Sequence, residues 1–230
     1  METYKREFIE FMVRSGALTF GDFVTKSGRR TPYFINTGNY DTGEKMGRLG
    51  HFYAEAIHAV MGREFDNLYG PAYKGIPLCV TASIALAREF GHNVSFTFNR
   101  KEVKDHGEGG GLIGHKCRGG ERVVIIEDVT TAGASVRESV EILKTAAPGG
   151  VDLRAVVVSV DRQERGQGEE SALDELAREF SVRTFAIVTI DEVVEHLRGR
   201  EFDGRAALDE ELLARIAEYR AAYGAKAGTA

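Results

Sequence analysis

Val123-Val124-Ile125-Ile126-Glu127-Asp128-Val129-Thr130-Thr131-Ala132-Gly133-Ala134-Ser135 is the stretch on which the fold turns. Its first four residues are a continuous β-branched run rather than an alternating one, the pattern of a strand covered on both faces in a parallel sheet. The run ends in two adjacent acids, passes through a turn of small and hydroxylated residues, and gives way to a helical pattern over Ala134–Ala146. Ala155-Val156-Val157-Val158 repeats the same buried-strand signature. Working outward, strands are predicted at Asn67–Gly70, Asn93–Phe98, Arg122–Glu127, Leu153–Val160 and Val182–Thr189. Helices are predicted between them at Ile76–Phe90, Ala134–Ala146, Glu170–Phe180 and Asp191–Leu197. Repeated β–α units of this kind imply the α/β class, a parallel sheet flanked by helices. Ligands then sit at the carboxyl ends of the strands, so the loops after Gly70, Phe98, Glu127 and Val160 are the ones to examine.

The flanks are consistent with one domain. Phe8, Ile9, Phe11, Met12 and Val13 predict an N-terminal helix ending near Gly16. Extended pieces follow at Ala17–Thr25 and Tyr33–Asn36, and from Met46 the apolar positions keep helical period through Met61. No linker divides the 230 residues, which suit a single domain over 1–230. Residues 1–40 form an N-terminal annex, residues 200–230 a C-terminal extension with a helix-like part at Leu208–Tyr219, and the small, polar Ala221–Ala230 is expected to fray.

Thirty basic residues against 35 acidic ones leave a net charge of −5, which argues against a general nucleic-acid binder. An anionic ligand therefore needs a local basic cluster. Cys79 and Cys117 fit neither a disulfide framework nor a metal-binding spacing. The charged N-terminus is no signal peptide, and no apolar run reaches the roughly 18–20 residues of a membrane span, so a cytoplasmic protein is expected.

The turn after Glu127 and Asp128 carries the chemistry. Small side chains let backbone N–H groups approach an anion, and the following helix N-terminus adds partial positive charge, so a phosphate fits. The adjacent carboxylates suit the two hydroxyls of a ribose or a place beside hydrated Mg²⁺. The plain alternative is a Thr N-cap with acids near a helix start. A Walker-B strand is excluded because no G-x-x-x-x-G-K-[ST] run accompanies it. Gly109-Gly110-Gly111-Leu112-Ile113-Gly114 matches a dinucleotide fingerprint literally. It neither follows a strand nor opens a helix, and reads as a glycine-rich loop leading through His115-Lys116-Cys117 into the next strand.

With these residues in view, Val123–Ser135 resembles the phosphoribosyl-pyrophosphate (PRPP) signature of type I phosphoribosyltransferases. Three further stretches narrow the resemblance to the orotate phosphoribosyltransferases. They are Lys26-Ser27-Gly28-Arg29 leading to Tyr33-Phe34-Ile35-Asn36, then Gly70-Pro71-Ala72-Tyr73-Lys74-Gly75, and Asp161-Arg162-Gln163-Glu164-Arg165-Gly166. Together they span about residues 17 to 190 in family order. The resemblance implies the type I fold with a small N-terminal hood over the base. It implies transfer of a 5-phosphoribosyl group from PRPP to N1 of orotate, giving orotidine 5′-monophosphate and pyrophosphate in pyrimidine biosynthesis. It also implies Mg²⁺ arriving with PRPP rather than on protein ligands, and a homodimer.

The implied roles follow residue by residue. Lys26, Tyr73, Lys74 and the run Glu127, Asp128, Val129, Thr130, Thr131, Ala132, Gly133, Ala134 and Ser135 match the PRPP-binding positions. Phe34, Ile35, Thr131 and Arg162 match the orotate side, with Ile35 departing from a more usual aromatic. A guanidinium at Arg162 suits a carboxylate; the alternative is a pair with Asp161 or Glu164. Arg100, Lys101, Lys104 and His106 match a catalytic loop over Arg100–Lys116 that closes on the neighbouring subunit, where its cations stabilise the leaving pyrophosphate. An idle His106 remains the alternative in so glycine-rich a loop. His51 and His58 lie too far apart to share a metal and are expected to be exposed. Two other functions stay open: transfer to a purine base, or a non-catalytic PRPP-sensing regulator. Against the second, no basic DNA-binding annex is visible.

Overall fold

A computed structural model describes residues 1–25, 28–101, 111–130, 132–202 and 204–225. Its centre is a six-stranded sheet of order β5-β4-β3-β6-β7-β8, built from β3 (Asn67–Tyr69), β4 (Ser95–Asn99), β5 (Leu112–Gly114), β6 (Arg122–Ile126), β7 (Asp152–Asp161) and β8 (Arg183–Thr189). All neighbours are parallel except β5, which runs antiparallel to β4 at the edge.

The continuous apolar runs do what their pattern predicts. Val123 to Ile126 and Ala155 to Val158 are all fully buried. Alternate side chains point to opposite layers. Val124, Ile126, Ala155 and Val157 join a core with α1 (Thr3–Arg14), α2 (Gly43–Met61), α3 (Gly75–Glu89) and α6 (Ile190–Leu197). Val123, Ile125 and Val156 meet Val136, Val140 and Leu143 of α4 (Ala134–Ala146) and Leu176 of α5 (Ala172–Phe180) on the other face. Three of these helices begin at side-chain caps. Thr42 accepts from the Lys45 N–H, Ser171 from that of Asp174, and Thr189 forms a reciprocal capping box with Glu192.

Outside this body, β1 (Leu18–Val24) and β2 (Arg30–Ile35) form an antiparallel hairpin. A short hairpin, β9 (Glu201–Phe202) with β10 (Arg205–Ala206), leads into α7 (Glu210–Tyr223), which packs on β2. Ile216 and Tyr219 of α7 are buried in the core cluster that also holds Tyr33.

Three local expectations change. The fraying expected over Ala221–Ala230 does not hold as far as Ala225, since α7 runs to Tyr223 and the Ala225 N–H donates to the Gln163 carbonyl at 2.8 Å, while 226–230 lie outside the described residues. The glycine-rich segment does not run straight into the next strand. Leu112–Gly114 first pairs back on β4, with Arg100 N–H donating to the Gly111 carbonyl at 2.7 Å to close the base of the loop. Gly114 has φ +87°, and a Cβ there would stand 2.5 Å from the Phe96 carbonyl oxygen, so the turn out of β5 demands glycine. Nor are the two α2 histidines simply exposed. His51 lies 2.6 Å from a Glu89 carboxylate oxygen, and His58 stacks on Phe90 with ring centres 4.3 Å apart. Both sit where α2 crosses α3, so close a crossing that a Cβ on Gly50 would meet Thr81 at 2.6 Å. Among the described residues no helix is long and apolar enough to cross a membrane.

Candidate active site

A cavity of about 540 Å³ opens at the carboxyl ends of β6 and β7, where a parallel sheet is expected to hold its ligand. One wall is the turn after β6, with Asp128, Val129, Thr130 and Ala132, together with Lys74. A second wall is the loop after the neighbouring β7, Asp161 to Gly166, and the hairpin supplies Thr25, Arg29, Phe34 and Ile35.

The β6 acids are held differently from one another. Asp128 is a hub: its Oδ2 accepts from Lys74 Nζ at 2.7 Å and from the Thr37 hydroxyl at 2.8 Å, and its Oδ1 from the Val129 N–H at 2.6 Å. Burial opposes its charge, but those donors outweigh it and hold the carboxyl below its ordinary range. Glu127 has a buried Oε2 without a hydrogen-bond partner among the described residues. Burial, reinforced by the charge of Asp128, pushes its pKa up to about 7. The backbone between the two is clamped. The Tyr53 hydroxyl donates to the Glu127 carbonyl at 2.6 Å and that of Ser159 to the Asp128 carbonyl at 2.6 Å.

Past the acids, Gly133 caps α4 in the left-handed region at φ +69°, its N–H donating to the Thr130 hydroxyl at 3.0 Å. Arg137 reaches back from α4 to the Ala132 carbonyl at 2.5 Å. The turn is thus fixed at the mouth of a helix, where amide groups and partial positive charge favour an anion. On the neighbouring β3 turn, Gly70 and Gly75 leave no room for any side chain, since a Cβ on Gly70 would stand 2.1 Å from the Gly75 carbonyl oxygen. The Ala72–Tyr73 peptide in this turn is cis, and the Ala72 N–H donates to Asn99 Oδ1 at 2.8 Å. Tyr73 is exposed, and Lys101 Nζ lies 5.8 Å from its ring centre.

On the second wall Arg162 donates through Nε and Nη2 to Glu164 Oε1 at 3.0 and 2.7 Å. Its guanidinium lies 5.1 Å over the Tyr33 ring, and the Tyr33 hydroxyl donates to the same Glu164 oxygen at 2.8 Å. The pairing with Glu164, weighed against a ligand role for Arg162, is therefore present, while Arg162 also lines the cavity. Two N–H groups of a guanidinium are taken by Glu164, and five are available in all.

Of the residues singled out from the sequence, Phe34, Ile35, Lys74, Asp128, Val129, Thr130, Ala132 and Arg162 line one cavity. Glu127 is buried beside Asp128, Gly133 caps α4, Ala134 and Ser135 open it, and Tyr73, Arg100 and Lys101 lie outside the helices and strands, after β3 and β4. Lys26, Thr131, Lys104 and His106 lie outside the described residues. The sequence reading quoted Arg29 and Tyr33 without giving them a role, named Glu164 only as a possible partner of Arg162, and passed over Thr37. Thr37 follows the quoted Tyr33–Asn36 stretch directly, and Glu164 lies inside a quoted motif, so adjacency was the signal.

Comparison with known proteins adds three findings. A family described as phosphoribosyl transferase domain matches residues 36–189. The orotate phosphoribosyltransferase of Clostridium acetobutylicum is 55% identical over 226 residues, 98% of this chain and all of that protein. That of Photobacterium profundum is 47% identical over 224 residues, 97% of this chain and all of the relative. Among solved structures, the orotate phosphoribosyltransferase of Francisella tularensis superposes with a TM-score of 0.82 at 33% identity, covering 95% of this chain and 100% of that one.

Proposed function

Because the chain belongs to the phosphoribosyltransferase family and, within it, to the orotate phosphoribosyltransferases, we propose that its two cavity walls divide the reaction between ribose phosphate and base. The enzyme transfers the 5-phosphoribosyl group of PRPP to N1 of orotate, forming orotidine 5′-monophosphate and pyrophosphate in pyrimidine biosynthesis. The fold is the type I phosphoribosyltransferase fold with the β1–β2 hairpin as its hood. One observation carries the division of labour: Asp128, bonded to Lys74 and Thr37, and Arg162, bonded to Glu164, line a single cavity.

In this reading Glu127 and Asp128 accept hydrogen bonds from the ribose hydroxyls, and Thr130 to Ser135 wrap the 5-phosphate at the start of α4. Lys74 exchanges Asp128 for the pyrophosphate, assisted by Tyr73 and Lys26. Arg162 takes the orotate carboxylate, with Phe34, Ile35 and Thr131 around the ring. N1, arriving deprotonated, attacks C1′. The bond from C1′ to the pyrophosphate oxygen breaks, and its electron pair leaves with pyrophosphate. Arg100, Lys101, Lys104 and His106 stabilise the charge on that leaving group, from a loop shared between the subunits of a homodimer. Alignment and charge stabilisation supply most of the rate, with positioning alone worth up to about 10 kcal/mol.

Among the described residues no three His, Cys, Asp or Glu side chains form a metal cage. Hard carboxylate oxygens at the β6 end suit a hydrated Mg²⁺ that arrives on the substrate's phosphates and stays there. When bound, Mg²⁺ supplies charge neutralisation on the pyrophosphate. We assign the reaction to the cytoplasm, where PRPP and orotate would be drawn from solution.

The test follows orotate's ultraviolet absorbance with purified protein, PRPP and Mg²⁺, beside matched reactions with uracil or hypoxanthine. Loss of absorbance with orotate alone, and only in the complete mixture, is expected. Turnover of hypoxanthine instead, or PRPP binding without transfer, would overturn the choice of base or the catalytic role.

A further inference from the structure

Arg162 and Glu164 are two residues apart, a spacing that in extended chain directs both side chains to one side but does not by itself bring a guanidinium onto a carboxylate. Here the backbone between them is bent for it. Gln163 has φ +50°, a left-handed conformation uncommon for a residue other than glycine, and its N–H donates to Asp161 Oδ1 at 2.8 Å. Such a conformation persists where its surroundings over-determine it, and here those surroundings come from the far end of the chain.

The segment that ends α7 is zipped to this loop. Arg165 N–H donates to the Tyr223 carbonyl at 3.0 Å, Ala225 N–H to the Gln163 carbonyl at 2.8 Å, and Glu164 pairs with Gly224 in an antiparallel bridge. The Arg165 guanidinium also donates to the Ala222 carbonyl. Tyr219 of α7 meets the Tyr33 ring edge-on at 5.7 Å, and Tyr33 is completely buried. Glu164 is thus gripped from three directions, by Arg162, by the Tyr33 hydroxyl and by the backbone zipper.

We propose that Glu164 is a positioning residue for the base, holding Arg162 over the Tyr33 ring with part of its fork left for a planar anion, and that α7 is the strut that holds Glu164. This rests on the assignment of the second wall to orotate made above. A carboxylate that merely neutralised Arg162 would weaken the site for an anionic base. One that spends two of five donors to fix the plane leaves three for the ligand and lowers the ordering cost on binding. The C-terminal extension thereby becomes part of the base site without touching the base.

The experiment is steady-state kinetics on the full chain for Glu164→Gln and Tyr33→Phe, with melting temperature alongside. Glu164→Gln is expected to raise KM for orotate about tenfold, with KM for PRPP within about twofold. Tyr33→Phe keeps the ring under the guanidinium and is expected to raise the same KM about threefold. A KM for orotate unchanged or lowered in both variants, with the wild type active, would overturn the proposal, the lowered value marking Glu164 as a competitor of the substrate. Equal rises in both KM values together with a loss of melting temperature would also overturn it, leaving a purely structural role. Should Glu164→Gln fail to fold, Tyr33→Phe carries the same readout. A wild type that does not turn over orotate would instead overturn the assignment of the wall itself.

Discussion

The two walls of the cavity each pair a cation with an acid, yet they are built to opposite ends. Lys74 is 67% exposed and touches Asp128 with one flexible ammonium, whereas the Arg162 and Glu164 side chains are 10% and 14% exposed and share a buried ring and hydroxyl. A pair with one solvated partner is worth at most about 1 kcal/mol and exchanges readily. A buried, multiply bonded pair leaves a stranded charge when broken, at a cost of about 3–5 kcal/mol. The wall proposed to hold the phosphates therefore carries a pair that an anionic ligand would readily displace, and the wall proposed to hold the base carries a pair that its ligand would have to match.

Substitutions can break that contrast. Arg162→Leu should show the largest effect, since it strands Glu164 as well as losing the carboxylate contact. We expect kcat/KM for orotate to fall about 10³-fold and the melting temperature on the order of 10 °C. A variant with normal stability would mean the pair is no fixture. Asp128→Asn should follow, with kcat/KM for PRPP down about 100-fold; normal PRPP kinetics would remove Asp128 from the ribose. Lys74→Ala should raise KM for PRPP about tenfold while the melting temperature falls by about 4 °C or less. A large loss of stability there would make both walls alike.

The last effect is one of pH and touches stability alone. Burial, with Asp128 beside it, raises the folded Glu127 pKa from 4.5 to about 7. Between those values the folded protein binds more protons than the unfolded one, so its stability falls as pH rises through that window and stays lower above it. Glu127→Gln removes that cost. Its melting temperature relative to wild type should therefore climb between pH 5 and pH 8, on the order of 5 °C, as read by thermal denaturation without substrate. A difference independent of pH would mean that Glu127 is solvated in the folded state.

The wall around Asp128 was legible as one contiguous motif, whereas the wall around Arg162 was legible in its members, Phe34, Ile35, Arg162 and its possible pair with Glu164, but not in the geometry that joins them. Val123 to Ser135 are contiguous, and a buried strand, paired acids and a small-residue turn state their geometry in order. Arg162 was legible as a cation in the right loop, but its grip on Glu164 depends on a left-handed Gln163, and nothing in a glutamine side chain announces that. Tyr33 read as an aromatic of the hood, while its hydroxyl partner lies 131 positions away. The strand Leu112–Gly114 escaped for another reason: three residues beside glycines carry too little periodicity to read. His51 and His58 lay off the main apolar stripe, and only the close crossing at Gly50 brings Glu89 and Phe90 to them.

The strut α7 also sets an order of events during synthesis. Its Arg215 donates to the Gly21 carbonyl across 194 positions of chain. A growing chain therefore displays the hairpin and the Asp161–Gly166 loop well before the segment that braces them exists. The sheet and the phosphate wall have all their strands by Thr189 and can fold as the chain emerges. The base wall must wait. A chain that ends before Glu210 has every strand of the sheet but lacks the segment that braces the Asp161–Gly166 loop.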